Sequence, residues 1–224
     1  MGEQLSFDLP VRAALGRDDF YVAPANAQAV AMIENWQGWP SRKLVLVGPP
    51  GAGKTHLTHV WATLSGATII AATDLAEADI VGLATGPVAV EDADDIARDQ
   101  AGEEALFHLH NLTLAEGHSL LLTARSAPNF WPLALPDLAS RMQATTLAHL
   151  RAPDDTLLAA LLMKLFADRQ LSPSPEILPY LARRMDRSFD AARSVVAALD
   201  ETALSEGRPI TRAMAAKVLD NMTK

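Results

Sequence analysis

The feature that most constrains the fold is the segment GPPGAGKT, which runs from Gly48 to Thr55 and directly follows the apolar segment KLVLV. Its glycines and its Lys-Thr pair match the pattern G-x-x-x-x-G-K-[ST] at every position. A loop of this kind joins a buried strand to a helix, and its backbone N–H groups turn inward around a phosphate. The sequence therefore predicts a phosphate-binding loop inside an α/β fold.

Two side chains of this loop have specific predicted roles. Lys54 is expected to bridge the β- and γ-phosphates of a nucleotide, and the hydroxyl of Thr55 to coordinate Mg²⁺. The helix that follows adds its positive N-terminal end to the same site. The predicted nucleotide-binding residues of the loop form one continuous run: Pro49, Pro50, Gly51, Ala52, Gly53, Lys54, Thr55 and His56.

An acidic segment further along the chain supplies the carboxylates that such a loop needs. VAVEDAD contains a short apolar strand and lies far enough beyond Lys54 for one intervening strand and its crossover. We predict Glu91 as the Mg²⁺ ligand and Asp92 as the catalytic carboxylate. In an alternative register, Asp92 is the metal partner. Because Glu91 is one methylene longer than the usual residue, and Asp92 one shorter, the sequence predicts nucleotide binding but leaves turnover open.

The alternation of short apolar segments with helical segments predicts the fold class. The predicted strands are, in order, KLVLV, ATIIAA, PVAVED, SLLLTA and QATTLAHL. Helical spacing groups two sets of apolar residues: Leu57, Val60, Trp61 and Leu64, and later Leu106, Leu109 and Leu112. This alternation indicates right-handed crossovers and a mostly parallel sheet. After Pro153 the pattern is helical only, which predicts an all-helical bundle of roughly 70 residues.

Composition excludes several classes of protein. With 224 residues, of which 49% are hydrophobic, the chain suits one domain or a core with a small satellite. It has no Cys, which excludes disulfides and thiolate metal sites. Short apolar runs and the absence of a basic-then-apolar leader predict a cytoplasmic protein with no membrane contact. A net charge of −8 argues against strong DNA binding as the main function, so only indirect DNA contact is expected.

Three segments resemble a known family. GPPGAGKTHLTHVWA, LFHLHNLTLAEGHSLLLTA and LPDLASRM are similar to the AAA+ core of the bacterial initiator DnaA, and closer still to the Hda family, short relatives that regulate DnaA. The resemblance implies an AAA+ P-loop core with a five-stranded parallel sheet plus a C-terminal all-helical lid subdomain. Together with the irregular, charged start of the chain, it predicts a flexible leader at 1–17, the α/β core at 18–152 and the lid at 153–224. It also implies bound ADP or ATP with Mg²⁺.

The same resemblance assigns a residue that acts on another molecule. In the Hda family the segment ahead of the fifth strand carries an arginine finger, which here is Arg141. An arginine placed on a neighbour's γ-phosphate stabilises the charge of the transition state. Tyr21 and Val22 stand where AAA+ modules contact the nucleotide base.

Two positions depart from the family pattern. Arg125 follows the fourth strand where a polar residue is usual, and Asp190 occupies the lid position that usually carries a sensor arginine. Arg187 and Arg193 lie three residues to either side of Asp190 on the same helical face. Arg193 is predicted to contact the phosphates instead. The lid's last helix is expected to end near Leu219, without the helix-turn-helix domain of DnaA.

The first residues resemble the peptide that docks into the bacterial sliding clamp, Q-L-x-(L/F)-x-L. The predicted clamp-binding residues are Gln4, Leu5, Ser6, Phe7, Asp8 and Leu9. The glutamine supplies directional hydrogen bonds, and the apolar residues at alternate positions serve as anchors.

These features predict a regulatory AAA+ adaptor. It is expected to be ADP-bound, to be tethered to the DNA-loaded clamp, and to stimulate ATP hydrolysis by DnaA, so repressing re-initiation of replication. The expected partners are the DnaA AAA+ domain, the β subunit of DNA polymerase III and a second copy in a homo-oligomer. The alternative is an autonomous AAA+ ATPase of the helicase-loader or remodelling type. It would need Glu91 and Asp92 to activate water and a self-assembled ring to deliver Arg141.

Overall fold

A five-stranded parallel sheet forms the centre of the first part of the molecule. The computed structural model describes Val22 and residues 26–222. The strands are β1 (Lys43–Val47), β2 (Thr68–Ala71), β3 (Val88–Glu91), β4 (Leu120–Ala124) and β5 (Thr146–His149). Their order across the sheet is β2-β3-β4-β1-β5, and every neighbouring pair is parallel. All five predicted strands are confirmed.

Helices cover both faces of this sheet. They are α1 (Ala27–Glu34), α2 (Lys54–Ser65), α3 (Ile80–Leu83), α4 (Gln100–Ala115) and α5 (Pro136–Gln143). Short 3₁₀ helices occur at Trp36–Gly38, Pro40–Arg42, Ala72–Glu77, Ala93–Ile96 and Pro128–Phe130. Because every residue of β1 and of β4 is buried, these strands read as continuous apolar runs rather than as alternating ones.

Alternate residues of each strand serve two different apolar clusters. Leu44 and Leu46 of β1 pack with Leu57 and Trp61 of α2, whereas Val45 packs on the opposite face with the residues of α4 and α5. The predicted packing role of the tryptophans fits this arrangement, since the rings of Trp39 and Trp61 stack with centroids 5.3 Å apart. The loop after β1 therefore emerges at the carboxyl edge of a rigid sheet.

Four further helices form a separate apolar core. They are α6 (Asp155–Asp168), α7 (Ile177–Arg184), α8 (Phe189–Glu206) and α9 (Arg212–Met222). Leu158, Leu161 and Leu162 lie in this cluster, as the helical stripe predicts. The side chains of Asp154 and Ser188 cap α6 and α8 by accepting hydrogen bonds from Leu157 N and Ala191 N. The helical tail is thus confirmed as a bundle.

Periodicity misplaced two residues and missed the short elements. Leu64 and Leu112 share helical spacing with core residues but are 51% and 37% exposed. Spacing identifies the face of a helix, not the point where the surface packed against it ends. The single-turn helix α3 and the 3₁₀ helix Ala72–Glu77 are too short to show a period. Among the described residues, every helix is too short or too polar to cross a membrane.

Candidate phosphate-binding site

The loop between β1 and α2 has the backbone geometry that its glycines permit. Gly51 and Gly53 have φ angles of +68° and +94°, which L side chains adopt only with strain. Gly53 is the N-cap of α2 and, having no side chain, supplies no capping group to the first turn of that helix. The N–H groups of the first turn are therefore available to an anion, and the helix dipole favours negative charge there.

Lys54 lies at the base of this loop and is 8% exposed. Its Nζ donates hydrogen bonds to the carbonyl oxygens of Gly48 at 2.8 Å and of Pro49 at 3.2 Å. Burial lowers the pKa of Lys54, and the nearby carboxylate of Asp92 opposes that shift. A phosphate group bound in the loop would supply stronger, charge-assisted partners for the same ammonium.

The loop, the acidic segment and the helical bundle together line one cleft of about 490 Å³. Its lining residues are Pro50, Gly51, Gly53, Lys54, Thr55, His56, Asp92, Arg125, Phe189, Asp190 and Arg193. This volume is within the range of small-molecule and cofactor sites. Six of the eight predicted loop residues, His56 among them, line the cleft directly. Pro49 and Ala52 do not line it, and Ala52 is buried in the core behind the loop.

The loop is also joined directly to the helical bundle. The backbone N–H of Phe189, the first residue of α8, donates to the carbonyl oxygen of Gly51 at 2.8 Å. A Cβ on Gly51 would lie only 2.3 Å from Cβ of Ser188. Sequence reasoning did not find Phe189 as a cleft residue. The available signal was Ser188, whose capping side chain marks the start of the helix that meets the loop.

Of the two arginines that flank Asp190, only Arg193 reaches the cleft. Its Nη2 atom lies 3.4 Å from Nδ1 of His56. Arg187 instead forms an ion pair of 2.8 Å with Asp155 at the start of α6. Asp190 itself lines the cleft, so an acidic side chain faces the site at the position of the expected sensor arginine.

Arg125 enters the cleft from the end of β4 but is already paired. Its guanidinium contacts the carboxylates of Asp94 and Asp95, and its backbone N–H donates to Asp94 at 3.1 Å. These two carboxylates offset its charge. Arg125 is therefore held against the acidic segment rather than extended toward the phosphate loop.

Asp92, rather than Glu91, is the carboxylate that faces the cleft. Asp92 has a left-handed backbone with φ of +51°, and its N–H donates to the hydroxyl of Thr123 at 3.0 Å. Glu91 ends β3 and does not line the cleft; its Oε1 atom is buried without a hydrogen-bond partner among the described residues. The geometry thus favours the alternative register, with Asp92 beside Lys54 and Thr55.

Arg141 lies far from this cleft, at the other end of the sheet. Its carbonyl oxygen accepts a hydrogen bond of 3.1 Å from Nζ of Lys43, the first residue of β1. The phosphate loop begins after Val47, the last residue of that strand. At about 3.3 Å per residue, the length of β1 separates the two sites by roughly 16 Å. Arg141 and the cleft of its own chain are therefore separate sites.

The other predicted residues are the leader residues and the two predicted base contacts. Gln4, Leu5, Ser6, Phe7, Asp8, Leu9 and Tyr21 lie outside the described residues. Val22 is 41% exposed and does not line the cleft. In the described part of the chain, no group of three or more His, Asp or Glu side chains is arranged to hold a metal. A Mg²⁺ ion at this site would depend on Thr55, one carboxylate and the phosphates, which is how proteins usually hold it.

Solved structures of DnaA proteins and of an AAA domain share this fold. Domain III of the DnaA protein from Thermotoga maritima has a TM-score of 0.79 at 18% identity, covering 95% of this chain and 98% of that one. AMPPCP-bound DnaA from Aquifex aeolicus has a TM-score of 0.70 at 18% identity, covering 85% and 66%. The FIGL-1 AAA domain in complex with ADP has a TM-score of 0.63 at 15% identity, covering 84% and 76%.

Sequence comparison points to the same relative. The chromosomal replication initiator DnaA of Caulobacter vibrioides is 26% identical over 231 aligned positions, covering 87% of this chain and 45% of the relative. The chain thus spans less than half the length of the curated relatives it matches. No protein-family model matches it. The chain is thus similar to DnaA in sequence over most of its own length, and in fold to domain III of DnaA.

Proposed function

We propose that this protein is a regulatory AAA+ adaptor that stimulates ATP hydrolysis by DnaA and so represses re-initiation of chromosome replication. In this proposal it binds an adenine nucleotide, as ADP in its working form, and supplies Arg141 to the ATP of its partner. The bound nucleotide stabilises the arrangement of core and lid, and the chemistry takes place on DnaA.

The cleft supports nucleotide binding by this chain. The uncapped first turn of α2 and the ammonium of Lys54 suit the phosphates, and Arg193 adds a second cation from the lid. Thr55 and Asp92 are the proposed holders of Mg²⁺, which would neutralise phosphate charge. Solved relatives carry AMPPCP or ADP. The acidic side chain of Asp190 in the same cleft disfavours extra negative charge, which favours a diphosphate over a triphosphate.

The position of Arg141 is the observation that carries the proposal. Its side chain is exposed at the edge of the sheet opposite its own phosphate loop, so it cannot serve the nucleotide of its own chain. An exposed arginine in that position suits a γ-phosphate on another molecule. The similarity to DnaA suggests DnaA as that molecule.

The decisive experiment measures phosphate release from ATP-bound DnaA with and without this protein. The intact chain is expected to accelerate release, and Arg141→Ala to abolish the acceleration, since a trans-acting arginine contributes about 10³–10⁵ in rate. Arg208→Ala, which removes an exposed arginine between α8 and α9, is the matched control and should act as wild type. Full acceleration by Arg141→Ala would refute the role of this arginine.

The autonomous ATPase remains the competing function, because Asp92 faces the cleft beside Lys54. Steady-state ATP hydrolysis by the purified protein separates the two. We expect negligible turnover without DnaA. Brisk turnover that is lost in Asp92→Asn and is indifferent to DnaA would replace the adaptor with an ATPase.

Tethering to the sliding clamp is the second part of the proposal. A leader bound to the clamp would hold this protein near newly replicated DNA, where an effective concentration in the millimolar range can replace affinity. Replacing Gln4, Leu5 and Phe7 with Ala is expected to abolish capture by immobilised clamp. Val11→Ala with Leu15→Ala, apolar changes in the same leader but outside the motif, is the control. Equal capture of all three proteins would contradict the tether.

A further inference from the structure

One face of α4 contacts both ends of α5, the helix that carries Arg141. Glu103, Phe107 and His110 follow at spacings of four and three residues, so they share one face of α4. Together with Lys43 of β1 they surround α5; we call these four residues the α5 cradle. Leu138 and Met142 fix the inner side of α5 in the apolar core, both with no exposed surface.

Glu103 holds the beginning of α5. Its carboxylate is 1% exposed and accepts backbone N–H groups from Leu135 at 2.7 Å, Ala134 at 2.9 Å and Arg98 at 2.8 Å. Leu135 is the N-cap of α5 and has no capping side chain of its own. A buried carboxylate at this end also complements the positive end of the helix dipole. Glu103 thus fixes the last two residues of the loop that leads into α5.

Lys43 holds the other end of α5. Its ammonium donates to the carbonyl oxygen of Arg141 at 3.1 Å and to Nε2 of His110 at 3.2 Å. His110 is 2% exposed, and burial lowers its pKa to about 4, so its neutral ring accepts this bond. Nδ1 of the same ring lies 3.1 Å from the side-chain oxygen of Asn111, which suits a proton on Nδ1. A buried cation therefore meets the negative end of the helix dipole.

Phe107 supports the guanidinium itself. The guanidinium carbon of Arg141 lies 5.1 Å from the centroid of the Phe107 ring, within cation–π distance. The hydrogen bonds from Glu103 and Lys43 to the backbone fix the position of α5, and therefore the point at which the Arg141 side chain leaves it. The Phe107 ring then restricts the orientations that the guanidinium can adopt. Its remaining surface stays open to solvent, and so to a partner.

We propose that Glu103, Phe107, His110 and Lys43 are positioning residues that pre-organise Arg141 for its action on a partner's nucleotide. This inference rests on the proposed function for its consequence, but its structural part is independent of DnaA. Displacement of a reacting group by about 1 Å can cost on the order of 10²-fold in rate. Restraining α5 at both ends is therefore expected to increase the rate that Arg141 supports.

The first test measures the order of α5 without any partner. The chain has no Cys, so a nitroxide on Ser140→Cys, an exposed site next to Arg141, reports α5 alone. In this background Glu103→Gln is expected to add a fast-moving component to the spin-label spectrum. Glu104→Gln is the matched control, because this neighbour is exposed and its carboxylate accepts a hydrogen bond from Gln100 of the same helix. Lys43→Met should behave as Glu103→Gln does. Unchanged spectra for both variants would overturn the cradle.

The second test measures stimulation of DnaA-ATP hydrolysis by the unlabelled chain. Phe107→Leu removes the ring face and is expected to lower the maximal rate about two- to fivefold, with the half-saturating concentration unchanged. Phe107→Tyr keeps the ring and should restore the rate. Equal rates for the leucine and tyrosine variants would contradict the role of the ring. If wild type gives no stimulation, the proposed function fails, and the spin-label result still decides the cradle.

Discussion

The contact between Gly51 and the lid makes a quantitative prediction about nucleotide binding. In Gly51→Ala, the new Cβ would lie 2.3 Å from Cβ of Ser188 and 2.8 Å from its Oγ. The residue must also keep a φ of +68°, which costs an L side chain about 1–2 kcal/mol. Separation of Ser188 from the loop then breaks the 2.8 Å bond from Phe189 N to Gly51 O, worth about 0.5–1.5 kcal/mol.

The φ strain is present with and without nucleotide, so the lost bond alone sets the minimum cost to the closed cleft, about 0.5–1.5 kcal/mol or roughly 2- to 13-fold weaker nucleotide binding. The assay is a titration of the chain with a fluorescent ADP analogue. Two variants separate the causes. Gly66→Ala carries the same backbone strain, with φ of +74°, but meets no atom within 4 Å, so it should bind nearly as wild type. Ser188→Gly added to Gly51→Ala removes the clash and should recover most of the affinity.

Two results would refute this reasoning. Wild-type affinity in Gly51→Ala would show that the lid contact does not form when nucleotide binds. A loss in Gly66→Ala as large as that in Gly51→Ala would attribute the effect to general destabilisation. The unfolding free energy of each variant, measured in urea, gives the independent control.

Three further predictions concern charges. Lys54→Met should weaken nucleotide binding on the order of 10- to 100-fold in the same titration, because charge-assisted bonds to phosphate are lost. Arg193→Ala should weaken it more than Arg187→Ala, since only Arg193 lines the cleft; equal losses would contradict this. His110 has a folded pKa of about 4, below the ordinary 6.5. Its neutral, buried ring therefore contributes fully to the unfolding free energy above pH 6.5, and this contribution is lost as pH falls toward 4. Between pH 7 and 4.5 wild type should therefore lose about 2 kcal/mol more unfolding free energy than His110→Gln in urea titrations.

Local patterns were enough for the elements that form the frame of the molecule. The buried runs KLVLV and SLLLTA have no polar residue in their central positions, which is the pattern of strands covered on both faces. The glycine pattern of the loop implied both its backbone and the helix after it. These inferences succeed because the causes, side-chain period and glycine freedom, act over a few neighbouring residues.

The site was less accessible to sequence reasoning. The choice between Glu91 and Asp92 depends on which of the two side chains points into the cleft where β3 ends. The left-handed backbone of Asp92 turns the chain there, so the cleft carboxylate is one residue later than the strand pattern predicts. Arg187 and Arg193 look equivalent on a helix wheel. They differ because Asp155, a residue of another helix, pairs with the first of them.

The sequence by itself determined that this chain is an α/β P-loop module followed by a helical bundle. It also identified Lys54 and Arg141 as candidate functional residues. Only the tertiary structure decided that these two lie at opposite ends of one strand, and that Glu103 and Lys43 hold the two ends of α5. The reason is physical: the pairing of buried charges and the distance between sites depend on how distant segments pack, and no local pattern records that packing.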